Sequence, residues 1–295
     1  MTVSALLASI PSPGSGTLDL GPFEIHLYGL TLLVAIGVAT VVTGRRWVAR
    51  GGDWDLIFRC AVWGVAAGIV GARLYHLLTS WDEVPDEWWG PLAIWKGGLG
   101  VWGGIAAGCL AGALVARRAG ADVWLLADCL APGLLLAQAV GRLGNWWNQE
   151  LYGRPTELPW GLEIDPVNRP VEHLDVATFH PTFLYEALWN LAAAAVLVYV
   201  IERRVRPRPP GLFAAYIALY CFGRFWIELL RIDDAHELAG LRVNAWVSLV
   251  GFGAGVVWYV LSQRRGRPTP PQRSAPPAGP TMTVPRSKGR VRPGG

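Results

Sequence analysis

Residues 24–50 read EIHLYGLTLLVAIGVATVVTGRRWVAR. No charge interrupts the run from Leu27 to Gly44, and then Arg45, Arg46 and Arg50 follow within six residues. An uncharged apolar run of about 18 residues or more is long enough to cross a bilayer. The arginines at its end mark that end as cytoplasmic. Working outward, stretches of spanning length fall at about 24–43, 56–78, 93–116, 122–143, 181–201, 211–231 and 242–262. Arg45, Arg46 and Arg50, then Arg117 and Arg118, then Arg203, Arg204, Arg206 and Arg208, and finally eight Lys or Arg from Arg264 onward, make up 17 of the 26 basic residues. All lie in alternate connections or in the tail. The positive-inside rule therefore places the N-terminus outside and the C-terminus in the cytoplasm, which requires an odd number of spans.

The expected fold is an all-α integral membrane protein of about seven transmembrane helices. The 144–180 loop, rich in Pro, Gly and polar residues, is expected to form a small extracytoplasmic head. Residues 1–265 are read as one polytopic membrane domain, and 266–295 as a disordered, basic, Pro-rich cytoplasmic tail. The opening MTVSALLASIPSPGSG has no basic residue ahead of its short apolar stretch. It reads as a mature segment outside the cytoplasm, not as a signal peptide.

Composition agrees. Only 16% of the 295 residues are charged and 52% are hydrophobic, against about 25% charged in soluble domains. The 16 Trp suit the membrane interface. A net charge of +4 does not point to nucleic acid, because the basic residues sit in short clusters between apolar runs. Cys60, Cys109, Cys129 and Cys221 form no CxxC pair, so they read as small buried hydrophobes and not as metal ligands or nucleophiles. GIAAGCLAGAL at 104–114 places Gly104, Gly108 and Gly112 on one face, as in close helix packing.

Ionisable residues inside spans are costly and mark function or buried pairs. Under this topology most gather near the outer face: Tyr28 in span one, Arg73 and His76 in span two, Arg142 with Asn145 at the end of span four, and Arg224, Glu228 and Arg231 in span six. Arg59 and Asp128 are the exceptions, toward the inner side. Arg224, Glu228 and Arg231 are spaced i, i+4 and i+7, and so share a helix face. An Arg–Glu pair alone can be a neutralised structural pair. One Glu, however, cannot neutralise Arg142 and the arginines of span six together. The surplus calls for an anion, and at that depth the anion available is a lipid phosphate, which the planar guanidinium fork binds well.

The stretch 141–154, GRLGNWWNQELYGR, resembles the signature of the prolipoprotein diacylglyceryl transferase family, G-R-x-G-N-x-x-N-x-E-x-x-G. Gly141, Arg142, Gly144, Asn145, Asn148, Glu150 and Gly153 fit it. HLYG at 26–29, GARLYH at 71–76, HPTFLYE at 180–186 and GRFWIELLR at 223–231 agree in the same order. The resemblance runs from about residue 20 to 262.

It implies a seven-span enzyme of the bacterial plasma membrane, with its site toward the extracytoplasmic face. Such an enzyme transfers the sn-1,2-diacylglyceryl group of phosphatidylglycerol to the lipobox cysteine of prolipoproteins and releases glycerol phosphate. No cofactor, metal or nucleic acid is implied. By motif, Arg142 and Arg224 bind the phosphate, and Tyr28, Asn145, Glu150, Gly153 and Glu228 complete the site. Arg73 and Arg231 are added here as further phospholipid ligands. The family often has a His before the Gly-Gly of span three, proposed as a base, where GGLGVWGG carries Trp102. Indole cannot accept that proton, so either the base lies elsewhere, with His76, His180 and Glu228 as candidates, or the phosphate leaving group takes the proton, or the His is not the base in the family. Phe183 also stands where Gln is common. Two other readings are a transporter with a charged intramembrane pathway and a non-catalytic seven-helix receptor or scaffold. A transporter needs polar residues continuing to the inner face, where they thin out. A scaffold leaves the run after Arg142 unexplained.

Overall fold

The computed structural model describes residues 9–264 other than Pro22, and the basic tail and residues 1–8 lie outside that set. Among the described residues there are seven α-helices: α1 (Leu27–Val48), α2 (Trp54–Thr79), α3 (Val101–Arg118), α4 (Val123–Trp147), α5 (Thr182–Ala195), α6 (Gly211–Glu228) and α7 (Val243–Arg264). A π-helical segment, Val196–Val205, continues α5 without a break. Three antiparallel two-stranded hairpins decorate the ends: β1 (Thr17–Leu20) with β2 (Phe23–His26), β3 (Leu162–Glu163) with β4 (Thr178–Phe179), and β5 (Glu237–Leu238) with β6 (Leu241–Arg242).

Five helical segments are long and apolar enough to cross a membrane: α1, α2, α4, the continuous Thr182–Val205 and α7. Their surfaces agree, with Leu33, Trp63, Leu188 and Val250 all largely exposed. Apolar exposure on that scale is the construction of a multi-pass membrane protein, whose helices face hydrocarbon. The remaining helices, α3 and α6, are 18 residues each, about 27 Å long. They are less apolar because α3 ends on Arg117 and Arg118 while α6 carries Arg224 and Glu228.

The expected span at 93–116 starts late. Residues 90–96 form two 3-10 turns, and Gly97 and Gly98 follow with φ of 88° and 68°. That left-handed backbone suits glycine and cannot continue a helix. The carbonyls left free by the irregular segment are collected by Arg73. Its guanidinium donates to Gly90, Pro91, Gly97 and Gly98 at 2.7–3.0 Å.

Packing is pairwise, α1 on α4, α2 on α3 and α6 on α7, with α4 the most enclosed of the five apolar segments and α5 between it and α6. Small residues set the closest crossing: a Cβ on Gly103 would stand 2.3 Å from the Gly71 carbonyl oxygen. Contact at that range lets backbones meet, which is how membrane helices gain packing energy without a hydrophobic drive. Cys109, expected to be buried on the α3 small-residue helix, is instead exposed.

The two charges expected toward the inner side have structural uses. Asp128 on α4 accepts from the Phe213 N–H at 2.9 Å, satisfying a free donor of the α6 N-terminus. Arg59 pairs with Asp55 one turn away at 2.9 Å. On the same side, Glu202 of the π segment binds both Arg46 and Arg50, at 2.7 and 2.6 Å.

The α4–α5 connection forms a small head with its own core of Tyr152, Leu162, Ile164, Phe179 and Phe183. The chain near the N-terminus docks onto it. Ile10 bridges Leu162 in parallel, and the Pro11 and Pro13 carbonyls accept from Trp146 Nε1 and Gln149 Nε2.

Candidate active site

The α4, α5 and α6 helices converge under the head, and three apolar-to-polar layers stack along them. Ala131 and Leu135 meet Ala193, Ala194, Leu197, Leu212 and Ala215 in the lowest layer. One turn further along, Gln138 donates to the Tyr216 hydroxyl at 3.0 Å. Above that lies an ionic layer. Glu186, 3% exposed, receives Arg142 Nη2 at 2.7 Å on Oε1 and Arg224 Nη1 at 2.9 Å on Oε2. Arg224 also holds Glu228 at 2.6 Å. Glu228 is wholly buried and is met on its other oxygen by Arg242 at 2.9 Å.

A second chain of contacts leaves Arg142 in the opposite direction. Its Nη1 donates to Asn145 Oδ1 at 3.1 Å, and Asn145 Nδ2 donates to Glu150 Oε1 at 2.8 Å. The helix ends at Trp147, and Gln149 and Leu151 turn left-handed, with φ of 51° and 58°. A Leu in that region is strained, and such strain gathers at functional sites. Here the double turn swings Glu150 back over Asn145, and the Glu150 N–H returns to the Asn145 carbonyl at 3.1 Å.

Gly153 locks the head to α6. It bridges Arg231, its N–H donates to the His180 carbonyl at 2.9 Å, and an added Cβ would lie 2.9 Å from His180 Cβ and 3.0 Å from the Leu230 oxygen. Gly144 is closed by the Tyr28 ring, 2.6 Å from where its Cβ would be. Tyr28 thus lies against α4, at a glycine two residues beyond Arg142.

A small cleft opens over the ionic layer, lined by Arg142, Asn145, Glu186, Arg224, Arg231, Phe183 and Ile227. Arg142 and Arg224, expected to act together from different spans, share this one cleft and one carboxylate. Glu186 was not among the expected site residues although HPTFLYE contains it. Without it the positive surplus was overstated. Four arginines (Arg142, Arg224, Arg231 and Arg242) face three carboxylates (Glu186, Glu228 and Asp233). The excess is one positive charge, and Arg142 is the most exposed of the four.

Other expected residues fall elsewhere. Arg73 is buried in its loop with its guanidinium spent on four carbonyls. Arg231, by contrast, does line the cleft, where Asp233 holds it bidentately at 2.6 and 2.7 Å. None of the three candidate bases lines the cleft. His76 sits beneath Gly98 with Nε2 3.9 Å from Glu83. His180 is in the head, its Nδ1 3.1 Å from the Tyr185 hydroxyl. Glu228 is saturated by Arg224, Arg231 and Arg242. Trp102 begins α3 and is exposed.

Fold and site together define a class, a polytopic membrane protein with a guanidinium-lined cleft at one end of a helix bundle. Comparison with known proteins narrows it. Residues 16–261 match the family model described as prolipoprotein diacylglyceryl transferase. The phosphatidylglycerol–prolipoprotein diacylglyceryl transferase of Frankia alni is 51% identical over 266 residues, covering 88% of this chain and 69% of its own. That of Cutibacterium acnes is 50% identical over 260 residues, covering 87% and 88%, and the second such enzyme of Streptomyces coelicolor is 48% identical over 263, covering 88% and 82%. The chain belongs to the prolipoprotein diacylglyceryl transferase family.

Proposed function

We propose that this protein transfers the sn-1,2-diacylglyceryl group of phosphatidylglycerol to the thiol of a lipobox cysteine in a prolipoprotein, the first step of bacterial lipoprotein maturation. One observation carries the reading: Arg142 and Arg224 grip the two oxygens of one carboxylate inside a shared cleft. A phosphodiester presents the same pair of anionic oxygens and competes for the same donors.

In the reaction, sulfur attacks the glyceryl carbon, the C–S bond forms and the C–O bond to phosphate breaks. The electron pair leaves on the phosphate oxygen, and the thiol proton balances on the released glycerol phosphate. Arg142 and Arg224 stabilise the charge gathering on the leaving phosphate, where fixed donors in a water-poor site are most effective. Asn145 and Glu150 aim Arg142, Glu228 aims Arg224, Tyr28 backs the turn at Gly144, and Gly153 keeps the head on α6. Arg73 and Arg231 act at one remove, by holding the 90–98 loop and the β5–β6 hairpin. The positive field of the cleft favours the thiolate of an incoming cysteine. With Trp102 on α3 and His76 and His180 off the cleft, that field and the leaving phosphate replace a dedicated side-chain base.

Seven spans with the N-terminus outside, the head and cleft on the extracytoplasmic side of the plasma membrane, and a separate cytoplasmic tail after 265 complete the reading. The arginine distribution between spans supports it.

The test uses vesicles containing phosphatidylglycerol and a lipobox peptide, with product mass as readout. Wild type adds one diacylglyceryl group. Arg142→Ala and Arg224→Ala insert normally and add none. Normal transfer by both variants rejects the assignment.

A further inference from the structure

Seven buried side-chain nitrogen and oxygen atoms lack an aligned hydrogen-bond partner among the described residues. Four of them cluster on the α4–α5–α6 interface: Gln138 Oε1, Glu186 Oε1, and both Asn190 Nδ2 and Asn190 Oδ1. Glu186 and Asn190 are one turn apart on α5, and Gln138 and Arg142 one turn apart on α4. Arg142 meets Glu186, so the turn below carries Gln138 on α4 and Asn190 on α5. The apolar layer of Leu135, Ala193 and Ala194 closes the stack from below. Asn190 is fully buried. A wholly buried amide with neither donor nor acceptor satisfied is rare in native proteins, and the usual resolution is bound water with two to four polar partners.

We propose that Asn190, with Gln138, holds one or two internal water molecules beneath the ionic layer, and that this hydrated amide is a positioning site for Glu186. The inference rests on the transferase reading. When a lipid phosphate draws Arg142 and Arg224 toward itself, Glu186 stays behind at 3% exposure. A buried carboxylate stripped of its cations is strongly disfavoured. Water donors relayed from the Asn190 amide replace what the arginines withdraw, and so let the two guanidiniums change partner. Asn190 touches neither the lipid nor the reacting atoms.

Two measurements test this. An experimental structure of the wild-type protein, at a resolution that shows ordered water, is expected to place water within hydrogen-bond distance of Asn190 and Glu186 Oε1. A dry amide layer overturns the proposal. Binding of phosphatidylglycerol in mixed micelles forms the second arm, as a double-mutant cycle. Asn190→Leu is expected to weaken binding about tenfold and to have no further effect when Glu186→Gln has already removed the negative charge. A tenfold loss that persists in the Glu186→Gln background marks a general packing defect and rejects the positioning role. Should Asn190→Leu fail to fold, Gln138→Leu enters the same cycle with the same expectation. If wild type bound no phosphatidylglycerol the transferase reading would fall, and the water arm alone would then decide whether the site exists.

Discussion

Arg142 on α4 and Arg224 on α6 contact opposite oxygens of a single carboxylate, Glu186 on α5. One side chain therefore ties three helices and sets the spacing of the two guanidiniums. Removing it leaves two arginines facing each other in a nearly closed site. Breaking a buried ion pair from one side costs about 3–5 kcal/mol. Glu186→Ala is expected to lose stability on that scale, read as a lower unfolding temperature in detergent, together with transfer activity. An unchanged unfolding temperature would show that the three-helix contact contributes nothing.

Charge alone does not explain the choice of arginine. Arg142 spends one nitrogen on Glu186 and another on Asn145, and Arg224 divides its nitrogens between Glu186 and Glu228. Lysine offers a point charge and cannot span both partners. Arg142→Lys and Arg224→Lys are each expected to insert and fold while transfer falls at least ~10-fold, equivalent to about 1.4 kcal/mol. Full activity in the lysine variants would mean that net charge, not fork geometry, does the work.

Gly153 has no room for a methyl group. Its Cβ would press on His180, on the Leu230 carbonyl and on Thr182 within 2.9–3.1 Å, and two of these are backbone or Cβ atoms that cannot swing aside. Overpacking of this kind costs about 1–3 kcal/mol. Gly153→Ala is expected to loosen the head from α6, with faster hydrogen exchange at the Gly153 and Arg154 amides, which donate to His180 and Leu230. Unchanged exchange there would contradict the contact.

Much of this architecture was legible in the chain. The charge-free run after His26 and the arginines that close it announce α1 by length and charge alone, and the same logic locates the other helices to within a few residues, apart from α3. That helix starts eight residues late because hydropathy does not register the left-handed Gly97 and Gly98. The i, i+4 spacing put Arg224 and Glu228 on one face correctly. What spacing could not supply was the partner from another helix. Glu186 lies 38 and 44 residues from its arginines, and nothing local distinguishes it from a head-group glutamate. Its signal was available in HPTFLYE, as an acid four residues into an apolar helix. Arg73 misled for the converse reason. A span-end arginine satisfied by backbone carbonyls looks, in sequence, like one awaiting an anion.

That difference is testable. With Arg73 bound to four carbonyls of residues 90–98, the variant Arg73→Lys keeps the charge and loses most of those bonds. Limited proteolysis is expected to cut the 84–100 segment sooner in this variant, while the KM for phosphatidylglycerol stays within about twofold. A large rise in KM with an unaltered cleavage pattern would return Arg73 to the lipid site.

His180 gives the pH test. Desolvation, with Arg154 adding to it, lowers its pKa below the ordinary 6.5. The folded state therefore favours the neutral ring, whose Nδ1 lies 3.1 Å from the Tyr185 hydroxyl. The sign follows from proton linkage: between the lowered folded value and 6.5 the unfolded chain binds more protons, so stability rises with pH. This contribution is fully present above pH 6.5 and is lost as the pH falls through the folded value. Replacing the ring by Gln removes the titration. Unfolding temperatures of wild type and His180→Gln are thus expected to converge, or to cross in favour of the variant, as the pH is lowered from 7.5 to 5. Because His180 lies outside the cleft, the pH profile of transfer above pH 7 is expected to be the same for both proteins. If wild type shows an acidic limb, a fall in rate as the pH drops through the lowered His180 value, and His180→Gln lacks it, this histidine is instead the base that the cleft otherwise does without.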